Sequence, residues 1–170
     1  LTRLSERLMQ LARAEGGRLR IDSPRDLRPT VRLVAEDTAR SVRPNRIAMS
    51  LPETPLLSDL DPDAVGILFR NLVENALRHG EADGQVAVTL AADGTLRVAN
   101  DGPVVPPEVL SRLTTRFERG SAESEGSGLG LAIVAAIADR LGTNLTLHSP
   151  APGREKGFEV EIRLPVELVP

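Results

Sequence analysis

The chain has 170 residues, enough for one domain with a hydrophobic core, and a second full domain is not expected. Its net charge of −3 argues against a nucleic-acid-binding module, which usually presents a basic face. The absence of cysteine excludes disulfides and cysteine-based metal sites, and no apolar run approaches the roughly 20 residues that span a bilayer. Without Trp or Tyr, the core must be built from Leu, Val, Ile and Ala.

The first predicted element is a helix with leucines at positions 1, 4, 8 and 11, which ends at Gly16-Gly17. It is either an amphipathic helix packed on its own domain or the end of a bundle or coiled-coil helix. The narrow leucine stripe favours the second interpretation. The chain begins inside this pattern without an initiator Met, so we expect a fragment of a longer protein.

Two further helices have local start signals. Ser23-Pro24 or Asp26 can cap a helix that runs to about Val42, with Pro29 tolerated in its first turn if Asp26 is the cap. Asp61-Pro62-Asp63 combines a cap, a proline at the first position and an acid in the first turn, and it predicts a long helix.

The remaining elements alternate between strands and helices. Helices are predicted at 107–113 and from about Ala132 to Gly142, and strands at 46–51, 56–57, 85–90, 95–100, 144–148 and 157–164. Asp93-Gly94 is typical of a hairpin turn. Mixed helices and strands with two hairpins favour an α+β two-layer sandwich over a doubly wound parallel sheet.

A glycine-rich turn, Gly126-Ser127-Gly128-Leu129-Gly130-Leu131, leads directly into the apolar helix that ends at Gly142. Such a turn at a helix N-terminus suits an anion, because unpaired N–H groups and the helix dipole both point outward. The alternative is a tight connection without a ligand.

The helix after Asp61 places Asn71, Asn75, Arg78 and His79 on one stripe beside its apolar face. An asparagine oxygen suits Mg²⁺, which takes its other ligands from water and phosphates. The alternative is that both asparagines only form hydrogen bonds to neighbouring loops.

Taken together, four motifs resemble the boxes of sensor histidine kinases. Residues 71–79 (NLVENALRH) resemble the N box, 100–103 (NDGP) the G1 box, 116–119 (RFER) the F box and 126–131 (GSGLGL) the G2 box. The resemblance covers about 26–164 and implies an ATP-binding (Bergerat-type) domain, with about five mixed, mostly antiparallel strands on about three helices. Residues 1–17 then look like the end of the second helix of the dimerisation and phosphoacceptor hairpin, and 18–170 like the catalytic domain.

The resemblance implies roles for residues of the N box. Asn75 would ligate Mg²⁺, and Asn71 would lie close to the phosphates and the metal. Arg78 would contact phosphate, and His79 occupies the usually aromatic position beside the nucleotide. Glu74 resembles the acidic position that activates the acceptor histidine, so the implied catalytic residues are Glu74, Asn71 and Arg78.

It also implies an ATP lid at about 101–127, anchored by Phe117. The further residues implied to contact the nucleotide are Arg119, Gly126, Ser127, Gly128, Leu129 and Gly130. In the usual G1 box an Asp accepts the adenine amino hydrogen, but here that position is Asn100, followed by Asp101 and Gly102. We expect Asn100 to accept this hydrogen bond, with Asp101 as the second choice, because neighbouring strand residues point to opposite sides. Val104 replaces the second glycine of the box.

The implied reaction is transfer of the ATP γ-phosphoryl group to a histidine on the adjoining hairpin, and then to the receiver domain of a response regulator. The chain contains only His79 and His148, neither in the context of such an acceptor. The expected setting is the cytoplasmic part of an inner-membrane protein that is a homodimer at full length, with ATP and Mg²⁺ as cofactors. The alternatives are an anti-sigma-type serine kinase of the same fold, or a degenerate nucleotide-binding or protein-interaction domain, the latter motivated by Asn100 and Val104.

Overall fold

The computed structural model describes residues 2–42, 44, 46–113 and 129–168, and these parts contain five helices and seven strands. The helices are α1 (Arg3–Gly16), α2 (Arg28–Ala39), α3 (Pro62–His79), α4 (Pro107–Leu110) and α5 (Gly130–Leu141). The strands are β1 (Arg20–Asp26), β2 (Ile47–Ser50), β3 (Leu57–Leu60), β4 (Val86–Leu90), β5 (Thr95–Asn100), β6 (Leu145–His148) and β7 (Phe158–Arg163). None of the helices in the described part of the chain is both long and apolar enough to cross a membrane.

The main sheet has five strands in the order β2-β4-β5-β7-β6. β2 pairs with β4 in parallel, and the other three pairs are antiparallel. The predicted mixed, mostly antiparallel sheet is therefore confirmed, as are the hairpins β4–β5 and β6–β7. Gly94 turns the first hairpin with a φ of 91°, a left-handed conformation that favours glycine.

The core lies between one face of this sheet and the helices. Val88, Val98 and Val160 are cross-strand neighbours on the inner face, and each is at least 97% buried. α3 lies on β4 and β5 with Phe69 fully buried, while α2 and α5 pack on either side of α3. Burying these aliphatic side chains is the main stabilising term of the fold. The expected two-layer α+β sandwich is confirmed.

The ends of the two site-bearing helices follow from local signals. Asp61 caps α3, because its carboxylate accepts a hydrogen bond from the Asp63 amide at 3.0 Å and Pro62 takes the first helical position. Gly142 ends α5 in the left-handed conformation with a φ of 68°. Both predicted boundaries are confirmed.

The segment before α2 is where the prediction was wrong. Residues 20–26 form β1, which pairs antiparallel with β3 in a separate two-stranded sheet, so a helix beginning at Ser23-Pro24 is excluded. The helix begins at Arg28, just after the alternative start at Asp26. β1 was missed because its residues are mostly exposed and polar, which leaves no alternation for a sequence pattern to detect. The predicted helices to Val42 and over 107–113 end earlier, at Ala39 and Leu110.

Asp26 connects β1, α2 and the loop before β3. Its carboxylate accepts hydrogen bonds from the Arg28 guanidinium at 2.8–3.1 Å and from the Leu56 amide at 3.0 Å. Arg28 also donates to the carbonyl of Glu53 at 2.7 Å. The hydrogen bond from Arg28 is the main reason that the pKa of Asp26 falls from its ordinary value of 3.8 to about 2.

We expect Asp26→Asn to lower the free energy of unfolding by about 2 kcal/mol at pH 7. A carboxyl group whose pKa is lowered by folding stabilises the protein above the unfolded pKa, and this contribution is lost as the pH falls from 3.8 towards 2. The difference between variant and parent, measured by urea denaturation, should therefore shrink over that interval. Asp22→Asn is the control, because Asp22 is 96% exposed and its pair with Arg18 should contribute little. An Asp26→Asn effect that persists unchanged at pH 2 would contradict this account.

Candidate functional site

The C-terminal end of α3 packs against the end of β5, and this contact brings residues 71–79 and 100–103 together. The Glu81 amide donates a hydrogen bond to the Asp101 carbonyl at 2.8 Å. A Cβ atom at Gly102 would lie 2.8 Å from the His79 carbonyl oxygen, so only glycine allows the backbones to approach this closely. From the other side, the Gly157 amide donates to the Gly102 carbonyl at 2.8 Å.

Asn75 carries an acceptor without a partner. Its Oδ1 atom is buried and accepts no hydrogen bond from the described residues. A buried polar atom in this state costs about 1–3 kcal/mol, so it calls for an explanation such as a bound ion. An amide oxygen is a suitable ligand for Mg²⁺, provided that phosphates and water complete the coordination. Asn75 therefore fits the metal that the resemblance implies.

Asn71 lies one helical turn earlier, and both the oxygen and the nitrogen of its side-chain amide form hydrogen bonds. It is 1% exposed, and its Nδ2 atom donates to the Ile67 carbonyl at 2.7 Å and to Gln10 Oε1 at 3.2 Å. Its Oδ1 atom accepts a hydrogen bond from Arg7, and the same guanidinium forms an ion pair with Glu74. The alternative interpretation expects hydrogen bonds to neighbouring loops, whereas the partners of Asn71 lie on α1 and on α3 itself.

Arg7 and Gln10 were not singled out from the sequence. Both lie on α1, and Arg7 is only 7% exposed despite its charge. Arg7 is 64 residues from Asn71 in the chain, so no local pattern could connect them. One indication of its burial was present in the sequence: Arg7 lies on the same helical stripe as Leu4 and Leu11, the side of α1 expected to pack on another part of the protein.

Arg78 and His79 are at the end of α3, where their side chains remain partly exposed. The pKa of Arg78 is lowered, first by loss of hydration and then by the charges of Arg3 and Arg7, with Glu74 opposing the shift. The pKa of His79 is lowered by loss of hydration and by the adjacent Arg78 charge. The lowered pKa favours the neutral form of the His79 ring at pH 7.

The two candidates at the end of β5 point in different directions. Asn100 is 2% exposed, and its Oδ1 atom is buried without a partner among the described residues. Its Nδ2 atom donates to the Asp101 carbonyl at 3.1 Å. The Asp101 carboxylate instead accepts a hydrogen bond from Arg154 at 2.9 Å. Asn100 thus offers a buried acceptor, whereas Asp101 is engaged at the surface.

The first turn of α5 lies beside Asn71. A Cβ atom at Gly130, the first helical residue, would be 3.6 Å from Asn71 Oδ1. The Leu129 side chain is fully buried, and no side chain among the described residues caps the helix. The first N–H groups of a helix without such a cap can bind an anion. Of the residues predicted from the sequence, Phe117, Arg119, Gly126, Ser127 and Gly128 lie outside the described residues, as does the lid beyond residue 113.

Comparison with known proteins shows the family to which this fold and these site residues belong. The family of histidine kinase-, DNA gyrase B- and HSP90-like ATPases matches residues 60–168, which contain α3, the main sheet beyond β2, and α5. The chain belongs to this family.

Individual relatives narrow the assignment. The chain is 36% identical over 172 residues to the sensor protein kinase PmrB of Pseudomonas aeruginosa, covering 97% of this chain and 35% of that protein. A mycobacterial sensor histidine kinase, MprB, superimposes with a TM-score of 0.70 at 26% identity, covering 86% of this chain and 98% of that structure. Full-length ShkA, solved in complex with AMPPNP, has the same fold, with a TM-score of 0.73 at 24% identity, covering 98% of this chain and 36% of that one.

The chain is the ATP-binding catalytic domain of a sensor histidine kinase, as its four boxes imply. The similarities do not favour the alternatives of a serine kinase or a degenerate domain. The chain spans 21–36% of the length of the curated sensor kinases that it matches here.

Proposed function

We propose that this domain binds ATP together with Mg²⁺ and donates the γ-phosphoryl group to a histidine on a dimerisation hairpin. The observation that carries the proposal is the buried Oδ1 atom of Asn75, which has no hydrogen-bond partner among the described residues and lies on the same helix as Arg78. The nucleotide complex of the similarly folded ShkA supports it. Phosphoryl transfer depends mostly on positioning and charge neutralisation, and these residues supply both.

At the phosphate end, Asn75 would hold Mg²⁺ and Arg78 would contact a phosphate. The N–H groups at the start of α5 would receive a second phosphate, helped by the positive end of the helix dipole. When bound, Mg²⁺ would neutralise negative charge that develops on the phosphates. Asn71 lies beside Gly130, and this position supports its proposed place close to the phosphates.

At the adenine end, Asn100 would accept the hydrogen of the exocyclic amino group, because its Oδ1 atom is buried and has no partner among the described residues. Gly102 would lie beside the base, with His79 presenting a neutral ring on the nucleotide side. Asp101 is less suited to this task, since its carboxylate is paired with Arg154.

Three proposals rest on the resemblance. Glu74 would help to activate the acceptor histidine. Phe117, Arg119 and the residues from Gly126 to Gly128 would belong to the lid that covers the nucleotide, a segment that lies outside the described residues. Residues 1–17 would be the end of the second helix of the dimerisation hairpin, followed by the catalytic domain at 18–170.

The proposed partners are those of sensor kinases. The domain would act on its own dimerisation and phosphoacceptor hairpin within a homodimer, and the phosphoryl group would then pass to the receiver domain of a response regulator. The whole protein would be an inner-membrane sensor whose catalytic part faces the cytoplasm. The names of the relatives, which include several sensor proteins, support these proposals.

Asn75→Ala should remove the Mg²⁺-dependent part of nucleotide binding, because it removes the proposed metal ligand and leaves the adenine end intact. The measurement is isothermal titration with a non-hydrolysable ATP analogue, with and without Mg²⁺. Asn144→Ala is the matched control, since Asn144 is an exposed residue of the turn before β6. An unchanged Mg²⁺ dependence in Asn75→Ala would exclude it as a ligand, and no binding by the parent at millimolar analogue would refute the proposed function.

Asn100→Ala and Asp101→Ala distinguish the two adenine candidates. We expect Asn100→Ala to weaken adenosine nucleotide binding by about tenfold, as the loss of one well-made buried hydrogen bond would. Asp101→Ala should change the affinity by less than about twofold, because it breaks a surface ion pair. If Asp101→Ala had the larger effect, the assignments would have to be exchanged.

The transfer step itself requires the full-length protein. Incubation with γ-labelled ATP and Mg²⁺ should label it on a histidine, giving a phosphoramidate that is lost in acid and stable in base. Asn75→Ala in the same protein should abolish labelling. Label on serine or threonine, stable in acid, would instead support the serine-kinase alternative.

A further inference from the structure

The connection between β6 and β7, residues 149–157, lies directly against the segment that follows Asn100. The Gly157 amide donates a hydrogen bond to the Gly102 carbonyl at 2.8 Å. Gly157 has a φ of 94°, and a Cβ atom on it would lie 2.6 Å from the Asn100 carbonyl oxygen. Only glycine allows the connection to pass this close to the backbone of the proposed adenine acceptor.

Ser149 adds a second link between the same two segments. Its Oγ atom accepts a hydrogen bond from the Val105 amide at 2.9 Å and donates one to the Gly157 carbonyl at 2.6 Å. A serine hydroxyl can do both at once, because it carries one donor and two acceptor lone pairs. We call these two hydrogen bonds the hydroxyl bridge. The connection therefore holds the segment after β5 at two points, Gly102 and Val105.

The hydroxyl bridge matters because residues 101–106 belong to no helix or strand. The hydrogen bonds of regular structure do not hold this segment, so individual contacts determine its position. An ion pair between Arg154 and Asp101 also joins it to the connection, but the two side chains are 40% and 31% exposed. Ion pairs with this exposure contribute little. The hydroxyl bridge is therefore the more effective side-chain restraint on the segment.

The restrained segment begins at the residue proposed to accept the adenine amino hydrogen. An acceptor contributes fully to binding only when it is held within about 0.5 Å of its productive position. We propose that Ser149 is a positioning residue for the adenine end, because its hydroxyl bridge holds residues 100–105 in the arrangement that receives the base. Ser149 acts through these residues and not by contact with the nucleotide. The inference rests on the proposed function, since it assigns a supporting residue to the same site.

The test compares Ser149→Ala with Ser149→Thr, which keeps the hydroxyl, in the 170-residue chain. We expect Ser149→Ala to bind AMPPNP about fivefold more weakly than the parent, as the loss of one hydrogen bond would, and Ser149→Thr to stay within about twofold. The factor should be the same with and without Mg²⁺, because the effect lies at the adenine end. Asn75→Ala should show the opposite pattern, a loss of the Mg²⁺-dependent part alone.

Ser41→Ala is the control for removal of a serine hydroxyl. Ser41 follows α2, an element that contributes no residue to the proposed site, and its hydroxyl donates to the Thr38 carbonyl at 2.8 Å. Its affinity for AMPPNP should stay within about twofold of the parent, as expected for a change outside the site.

A second measurement needs no substitution. In the parent chain, saturating AMPPNP without Mg²⁺ should slow hydrogen exchange at the amides of Val105 and Gly157, because the ligand favours the arrangement in which these amides are bonded. In Ser149→Ala the Val105 amide should exchange faster than in the parent, since it has lost its acceptor.

Four results would each overturn the inference and leave the proposed function intact. They are parent-like binding by folded Ser149→Ala, a loss that Ser149→Thr does not restore, a loss that appears only with Mg²⁺, and exchange at Val105 and Gly157 that AMPPNP does not change. No binding of AMPPNP by the parent, with or without Mg²⁺, would overturn both.

Discussion

The geometry of the site depends on the contact between the end of α3 and the end of β5. The Gly102 backbone lies directly against the His79 carbonyl, and the Glu81 amide is bonded to the Asp101 carbonyl. Because α3 is continuous over 18 residues and β5 is the central strand of the main sheet, this junction positions both ends of the site relative to each other. A ligand that touches Asn75 and Asn100 therefore meets groups that are already positioned, which reduces the entropy lost on binding.

Asn71 and Asn75 show why spacing alone does not define a role. Four residues apart on one helix, they face the same side, and from the sequence they are equivalent candidates. In the structure the Asn71 amide is bonded to Ile67, Gln10 and Arg7, while the buried oxygen of Asn75 has no partner among the described residues. The difference originates in α1, so the state of the site depends on a helix outside residues 60–168, the part matched by the family.

The features that could be predicted from the sequence are those determined by residues close together in the chain. Asp61 caps its helix, Gly94 turns its hairpin and Gly142 ends α5, because each meets a hydrogen-bonding or conformational requirement of the backbone within a few residues. β1 was missed because only pairing with β3 makes it a strand. The Arg7–Asn71 contact was missed for the same kind of reason, since it joins residues far apart in the chain. The four motifs predicted which residues would form the site. The hydrogen-bond partners of those residues could be identified only from the folded structure.

An asparagine at position 100 has a physical consequence for the proposed adenine site. A carboxylate with the same burial and no partner would be strongly disfavoured, and it would respond by taking up a proton or by drawing in a counter-ion. The neutral amide leaves an unpaired acceptor at a cost of only about 1–3 kcal/mol. The disadvantage is a weaker hydrogen bond to the ligand, since a neutral acceptor lacks charge assistance. Asn100 therefore lowers both the cost of leaving this position without a ligand and the affinity for adenine, so the phosphate end must supply a larger share of the binding free energy.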